Sequence, residues 1–175
     1  MKPLTIATAA LLSLAAAGSA AAAQPLAQYS LNQGKVHFGV PTNWVAMMQK
    51  TSGDPQLYAF QVPNAKAPDT LTRVTVSTHQ VGDMTAFAAF VKNAMAKAAQ
   101  MDAYASEATP GGQSTALRFR AEEDGDKLRF REHFYYKSGL AVTLRCVSPA
   151  AIPAASSWHR AYVRACDALA AELAK

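Results

Sequence analysis

Seven residues between positions 118 and 145 have side chains suited to holding anions: Arg118, Arg120, Arg129, Arg131, His133, Tyr135 and Arg145. A guanidinium is permanently charged, offers a planar fork that pairs bidentately with carboxylates, and stacks on aromatic rings. Arginine and tyrosine are also the residue types that most often anchor protein interfaces. Set on adjacent strands with their side chains outward, these residues would form a row able to grip an acidic protein partner. A plainer reading stays open, in which the row is a solvated sheet face, or arginine stems lie along a covering helix with their charges paired to Glu122, Glu123 or Glu132.

Residues for covalent or metal chemistry are sparse. His37, His79, His133 and His159 are each isolated in the sequence, and no HExxH, CxxC, GxSxG, phosphate-loop or dinucleotide fingerprint is present. The expectation is therefore no catalytic residue, no metal ligand set and no cofactor. One exception is worth carrying forward: His79 and His133 could lie on neighbouring strands with Glu132 nearby, which would allow a metal site or a small hydrolase centre.

The elements that must position the row are legible from periodicity. Leu117, Phe119 and Ala121 alternate with Arg118 and Arg120; Leu128 and Phe130 alternate with Arg129 and Arg131; Leu140, Val142, Leu144 and Cys146 alternate with Ala141, Thr143 and Arg145. Period-2 patterning of this kind marks half-buried strands. The breaks at residues 122–126 (EEDGD) and 137–139 (KSG) supply turn residues, so residues 115–147 read as a three-strand antiparallel meander. Upstream, residues 28–32 and 35–40 form one expected hairpin and residues 45–50 and 56–62 a second, turned at Ser52-Gly53-Asp54-Pro55. Residues 70–81 follow as a long central strand, and Tyr104 to Ala108 as a short edge strand. Pro110-Gly111-Gly112 marks a turn.

Two helices are expected. In residues 85–100, Phe87, Phe90, Val91, Ala94, Met95 and Ala98 recur at helical spacing behind Asp83 or Thr85 as a cap. In residues 154–173, Trp158, Tyr162, Cys166, Leu169 and Leu173 share a face, while His159, Arg160, Arg164 and Asp167 fall elsewhere. Cys146 has the parity of Leu140, Val142 and Leu144, and Cys166 lies on the apolar helical face, so both thiols point into one interface and predict a single disulfide.

The first 23 residues read as a cleaved secretory signal: Lys2, an apolar run from Leu4 to Ala17, and Ala21-Ala22-Ala23 before Gln24. Residues 24–175 would then be one domain with no transmembrane segment, located in the periplasm or the medium, where a disulfide persists. The net charge of +5, or +4 without Lys2, suits an acidic protein or an anionic surface but falls short of the clustered excess of a nucleic-acid binder.

The stretch Val36-His37-Phe38-Gly39-Val40-Pro41-Thr42-Asn43-Trp44 resembles the F-x-(I/V)-P-x-x-W opening of PsbP-like and DcrB-like proteins, and residues 83–87 (DMTAF) resemble the capped helix start that follows their central strand. The resemblance spans residues 29–173. It implies an α+β fold in which helices flank an antiparallel sheet as a three-layer α/β/α sandwich. The family's functions include a photosystem extrinsic protein, a nuclear-import factor that binds a small GTPase, envelope proteins and secretion chaperones, and it supplies no catalytic residues. The resulting expectation is an exported, non-enzymatic protein-binding domain of the bacterial envelope: an adaptor, a chaperone or an immunity-type inhibitor of a secreted toxin. The alternatives are a small periplasmic hydrolase and a small-ligand carrier with a cleft between sheet and helix.

Overall fold

A computed structural model describes residues 25–65, 68, 70, 72–109 and 115–175. The expected signal peptide and the Pro110-Gly111-Gly112 turn lie outside the described residues. Among the described residues, nine strands and two helices follow one another as β1 (Leu26–Leu31), β2 (Val36–Pro41), β3 (Val45–Lys50), β4 (Gln56–Gln61), β5 (Arg73–Gln80), α1 (Met84–Ala98), β6 (Asp102–Glu107), β7 (Ala116–Glu123), β8 (Asp126–Lys137), β9 (Leu140–Pro149) and α2 (Ser157–Leu173). Strands β3 to β9 make one antiparallel sheet of seven in the order β3-β4-β5-β9-β8-β7-β6. The hairpin of β1 and β2 stands apart as a second sheet. The fold is α+β, and its central sheet lies between α1 on one face and α2 with the β1–β2 hairpin on the other.

The meander forms as its pattern requires. Asp124 and Gly125 between β7 and β8, and Ser138 and Gly139 between β8 and β9, all have positive φ, the conformation of the two-residue turns that match strand twist. Strand β9, rather than the expected residues 70–81, is the middle member of the sheet, with β5 beside it. Of the residue 70–81 stretch, β5 takes only Arg73–Gln80.

Each face has its own core. On the α2 face, Val74 and Val76 of β5, Phe60 of β4 and Leu140, Val142, Leu144 and Cys146 of β9 pack against Tyr162, Cys166, Leu169 and Leu173 of α2 and Phe38 and Val40 of β2. Trp44 of the family-like opening is buried here against Phe60. On the α1 face, Phe87 and Val91 pack on Phe134 and Ala141. Farther along, Ala98 meets Phe119 and Phe130, whose rings stack at 4.5 Å. Asp83 caps α1 by accepting from the Ala86 N–H at 2.8 Å, and Ser156 caps α2 by accepting from the His159 N–H at 3.1 Å.

Cys146 and Cys166 are joined in a disulfide, with their Cα atoms 6.5 Å apart. The bond ties α2 to the middle strand. Tyr162 adds a polar tie one turn earlier, its hydroxyl donating to the Val147 carbonyl at 3.0 Å.

Candidate anion-binding face

Register, rather than sequence alone, decides which arginines meet. In β7 and β8, Arg118 is directly opposite Arg131 and Arg120 directly opposite Arg129. Cross-strand partners share a face, so four guanidiniums occupy a two-by-two block. The next strand inward places Cys146 beside Arg131 and Ser148 beside Arg129. The next outward places Glu107 beside Arg118. All of these lie on the α2 face, because the disulfide brings α2 down on Cys146. Helix α2 covers only the inner part of that face, so the apolar core ends at the disulfide and the sheet turns cationic beyond it.

The four arginines are not equivalent. Arg129 is structural: its two terminal nitrogens donate to the carbonyls of Pro149, Ala150 and Ile152 at 3.3, 2.8 and 2.8 Å, fixing the connection into α2. Arg131, with a side chain 12 % exposed, donates from Nη2 to Asp167 at 2.7 Å, while its enclosed Nε and Nη1 have no partner among the described residues. Arg120 is largely exposed and pairs with Glu107 at 3.0 Å. Arg118 is half-buried, and no hydrogen bond or ion pair joins it to another described residue. Burial and then Arg131 hold its pKa below the usual guanidinium value, with Asp167 and Glu107 opposing.

The rest of the expected row divides in two. His133 and Tyr135 continue along β8 on the same face. The Tyr135 hydroxyl donates to the Ala170 carbonyl at 2.9 Å, and burial pushes its pKa up to about 12, so it is a tie to α2 rather than a free contact. Arg145 does not belong to the row. It has the parity of Ala141 and Val147 on the α1 face, where its Nε lies 2.6 Å from Glu132 and its guanidinium sits 5.2 Å from the Phe130 ring centre. Glu132 is buried, and that burial raises its carboxyl above the ordinary range against the pull of Arg145.

His79 and His133 do not come together. Strand β9 separates their strands, and their parities place them on opposite faces: His79 touches Phe90 of α1, while His133 stacks beside Tyr135 on the α2 face. Burial lowers the pKa of both. Among the described residues no group of three or more His, Cys, Asp or Glu could hold a metal ion.

The structure adds participants that periodicity placed elsewhere. His159 is buried, only 9 % exposed, with Nδ1 unpartnered among the described residues. Burial, then Arg129 and Arg131, depress its pKa. Its spacing of three and seven from Tyr162 and Cys166 was the available signal. Together with Arg118, Arg129, Arg131, Ser148 and Tyr162, it lines a crevice of about 290 Å³ between the arginine block and α2. A larger cleft of about 520 Å³ lies on the other face, between α1 and a polar floor that includes Thr75, Ser77, His79 and Thr143.

No family model and no curated protein matches the chain. Among solved structures, it resembles cyanobacterial PsbP (CyanoP) from Synechocystis, with a TM-score of 0.49 and 14% identity over 91% of this chain and 96% of that one. It also resembles PA94, a protein of unknown function from Pseudomonas aeruginosa, with a TM-score of 0.47 and 13% identity over 83% and 94% of the two chains. These likenesses are distant and concern the fold.

Proposed function

We propose that the protein is an exported, non-enzymatic binding domain whose arginine block, on the α2 face beside the disulfide, engages an acidic surface of a protein partner. The observation that carries this reading is the register of β7 on β8, which opposes Arg118 to Arg131 and Arg120 to Arg129. Like charges directly opposed across strands destabilise a sheet. Two carboxylates, Asp167 and Glu107, make ion pairs with the block. An acidic partner would relieve the remaining repulsion on binding. The disulfide and the leader-like first 23 residues support an extracytoplasmic setting. Adaptor, chaperone and toxin-inhibitor roles all fit such a surface.

The test is capture from envelope extract at low and high salt, using the protein, an Arg118→Gln/Arg120→Gln double variant and an Arg164→Gln control. Arg118 and Arg120 are the informative pair, because Arg129 and Arg131 also hold the fold. The same partner should be retained by the protein and the control, lost by the double variant, and released by salt. Equal capture by all three would reject the arginine block as the binding surface.

A further inference from the structure

The crevice beneath the first turns of α2 has the features of a site for one discrete anionic group. Three cationic side chains converge on it from two strands, Arg118 from β7 and Arg129 and Arg131 from β8, and one carboxylate, Glu107 of β6, shares the lining while paired to Arg120. Arg129 is committed to backbone carbonyls and serves as fixed positive charge. Arg131 is held in place by Asp167 through one nitrogen, with its Nε–H and one terminal nitrogen unspent. From the helix side comes His159, nine-tenths buried, its Nδ1 also unspent. A buried donor or acceptor without a partner costs about 1–3 kcal/mol, and three such nitrogens border this crevice: Nε and Nη1 of Arg131, which are donors, and Nδ1 of His159, which donates in one of its two neutral tautomers. His159 also lies in the first turn of α2, behind the Ser156 cap, where the helix dipole adds positive potential.

We infer that this crevice is an oxyanion site, in which a single carboxylate or phosphate group accepts hydrogen bonds from Arg131, Arg118 and His159 between β7–β8 and α2. The inference rests on the reading of the arginine block as a binding face and supplies its anchor: one acidic group of the ligand enters the crevice while Arg120 and the rim meet the surrounding charge. Planar guanidinium forks suit both carboxylate and phosphate oxygens. Asp167 is then a competitor as well as a support. It occupies one arm of Arg131 and offsets part of the positive potential, so the site is tuned below its full strength. Seating the anion requires the Arg131 and His159 side chains to open slightly, since the unspent nitrogens of both are enclosed.

The experiment is a titration of the purified protein with inorganic phosphate and, separately, with acetate, at constant ionic strength, followed by NMR of the arginine Nε–H and histidine ring resonances. Saturable shifts are expected at Arg131, Arg118 and His159 and none at Arg164, an exposed residue of α2. Arg118→Gln should weaken binding about 5-fold or more, and Asp167→Asn should tighten it about 3-fold, each consistent with one charge at partly screened distance. A merely structural Asp167 would not give tighter binding. The stronger of the two probes identifies the chemistry as carboxylate or phosphate. Linear, unsaturable shifts, or equal shifts at Arg164, would overturn the inference. If that occurred while capture of the partner still depended on Arg118 and Arg120, the binding face would stand without an anchoring crevice.

Discussion

Arg131 and Asp167 meet at 2.7 Å because each neighbours one half of the disulfide: Arg131 is paired in register with Cys146, and Asp167 follows Cys166. The covalent tie that docks α2 on the middle strand thus also sets the charge and the reach of the arginine beside it. Fold and candidate site share one fastening.

Reducing that bond should therefore have two effects. A cross-link spanning 20 residues stabilises by about 3 kcal/mol on chain-entropy grounds, less any strain. For a chain of this size that corresponds to a melting temperature lower by about 6–12 °C. Thermal unfolding with and without reductant checks the first effect, with Cys146→Ala/Cys166→Ala expected to match the reduced protein. Phosphate titration of the reduced protein should show the second, a weakened anion site.

Tyr162 is buried and its hydroxyl spans the same interface to the Val147 carbonyl. Burial raises its pKa well above the ordinary phenol value. Tyr162→Phe keeps the ring packing and removes the bond, so it should cost about 1–2 kcal/mol in chemical denaturation. A neutral result would show that Val147 is satisfied by other means.

Acid should weaken the fold through its histidines. His79, His133 and His159 all have pKa values held below the ordinary 6.5, chiefly by burial. As pH falls through 6.5 the unfolded chain takes up protons before the folded one, so the stability these groups contribute above 6.5 is lost as pH drops toward their folded values. Glu132, with a raised pKa, acts in the opposite sense above its ordinary 4.5. The check is thus a comparison: His159→Gln should show a shallower fall in melting temperature between pH 7.5 and 5.5, about one pH unit to either side of the free histidine pKa. Identical slopes would exclude His159 as a contributor.

On the opposite face, Glu132 and Arg145 form an ion pair with 7 % and 35 % of their side chains exposed. Deleting the carboxylate with Glu132→Ala leaves a partly buried guanidinium unpaired. The cost should be about 2–4 kcal/mol, somewhat below that of a fully buried pair. Glu132→Gln retains an acceptor and removes a buried charge, so it should cost about 1 kcal/mol or less. Equal losses in the two variants, measured by urea unfolding, would contradict the pairing.

The meander, both helices and the disulfide were legible because each rests on a local pattern: strict alternation for β7 to β9, a capped 3.6-residue stripe for α1, and cysteine parity. Arg145 was misassigned because alternation tells two faces apart within a strand but not which face of one strand continues which face of the next. Arg145 shares the face of Phe130, whereas Arg131 shares that of Cys146. The separation of His79 from His133 depended on β9 inserting between their strands, a long-range pairing that no local pattern encodes. His159 was missed for a different reason. Helical spacing sets it three residues before Tyr162 and seven before Cys166, but a polar side chain at the edge of an apolar stripe carries no local sign of burial.

The central claim, that the arginine block is a binding face for an acidic partner, is tested most directly by measuring affinity for the captured partner against salt concentration, for the protein and for Arg118→Gln/Arg120→Gln. Affinity should fall at least about 10-fold in the double variant at low salt, with a visibly flatter salt dependence, as expected when interfacial charges are removed. Unchanged affinity and an unchanged salt slope in a folded double variant would contradict the account.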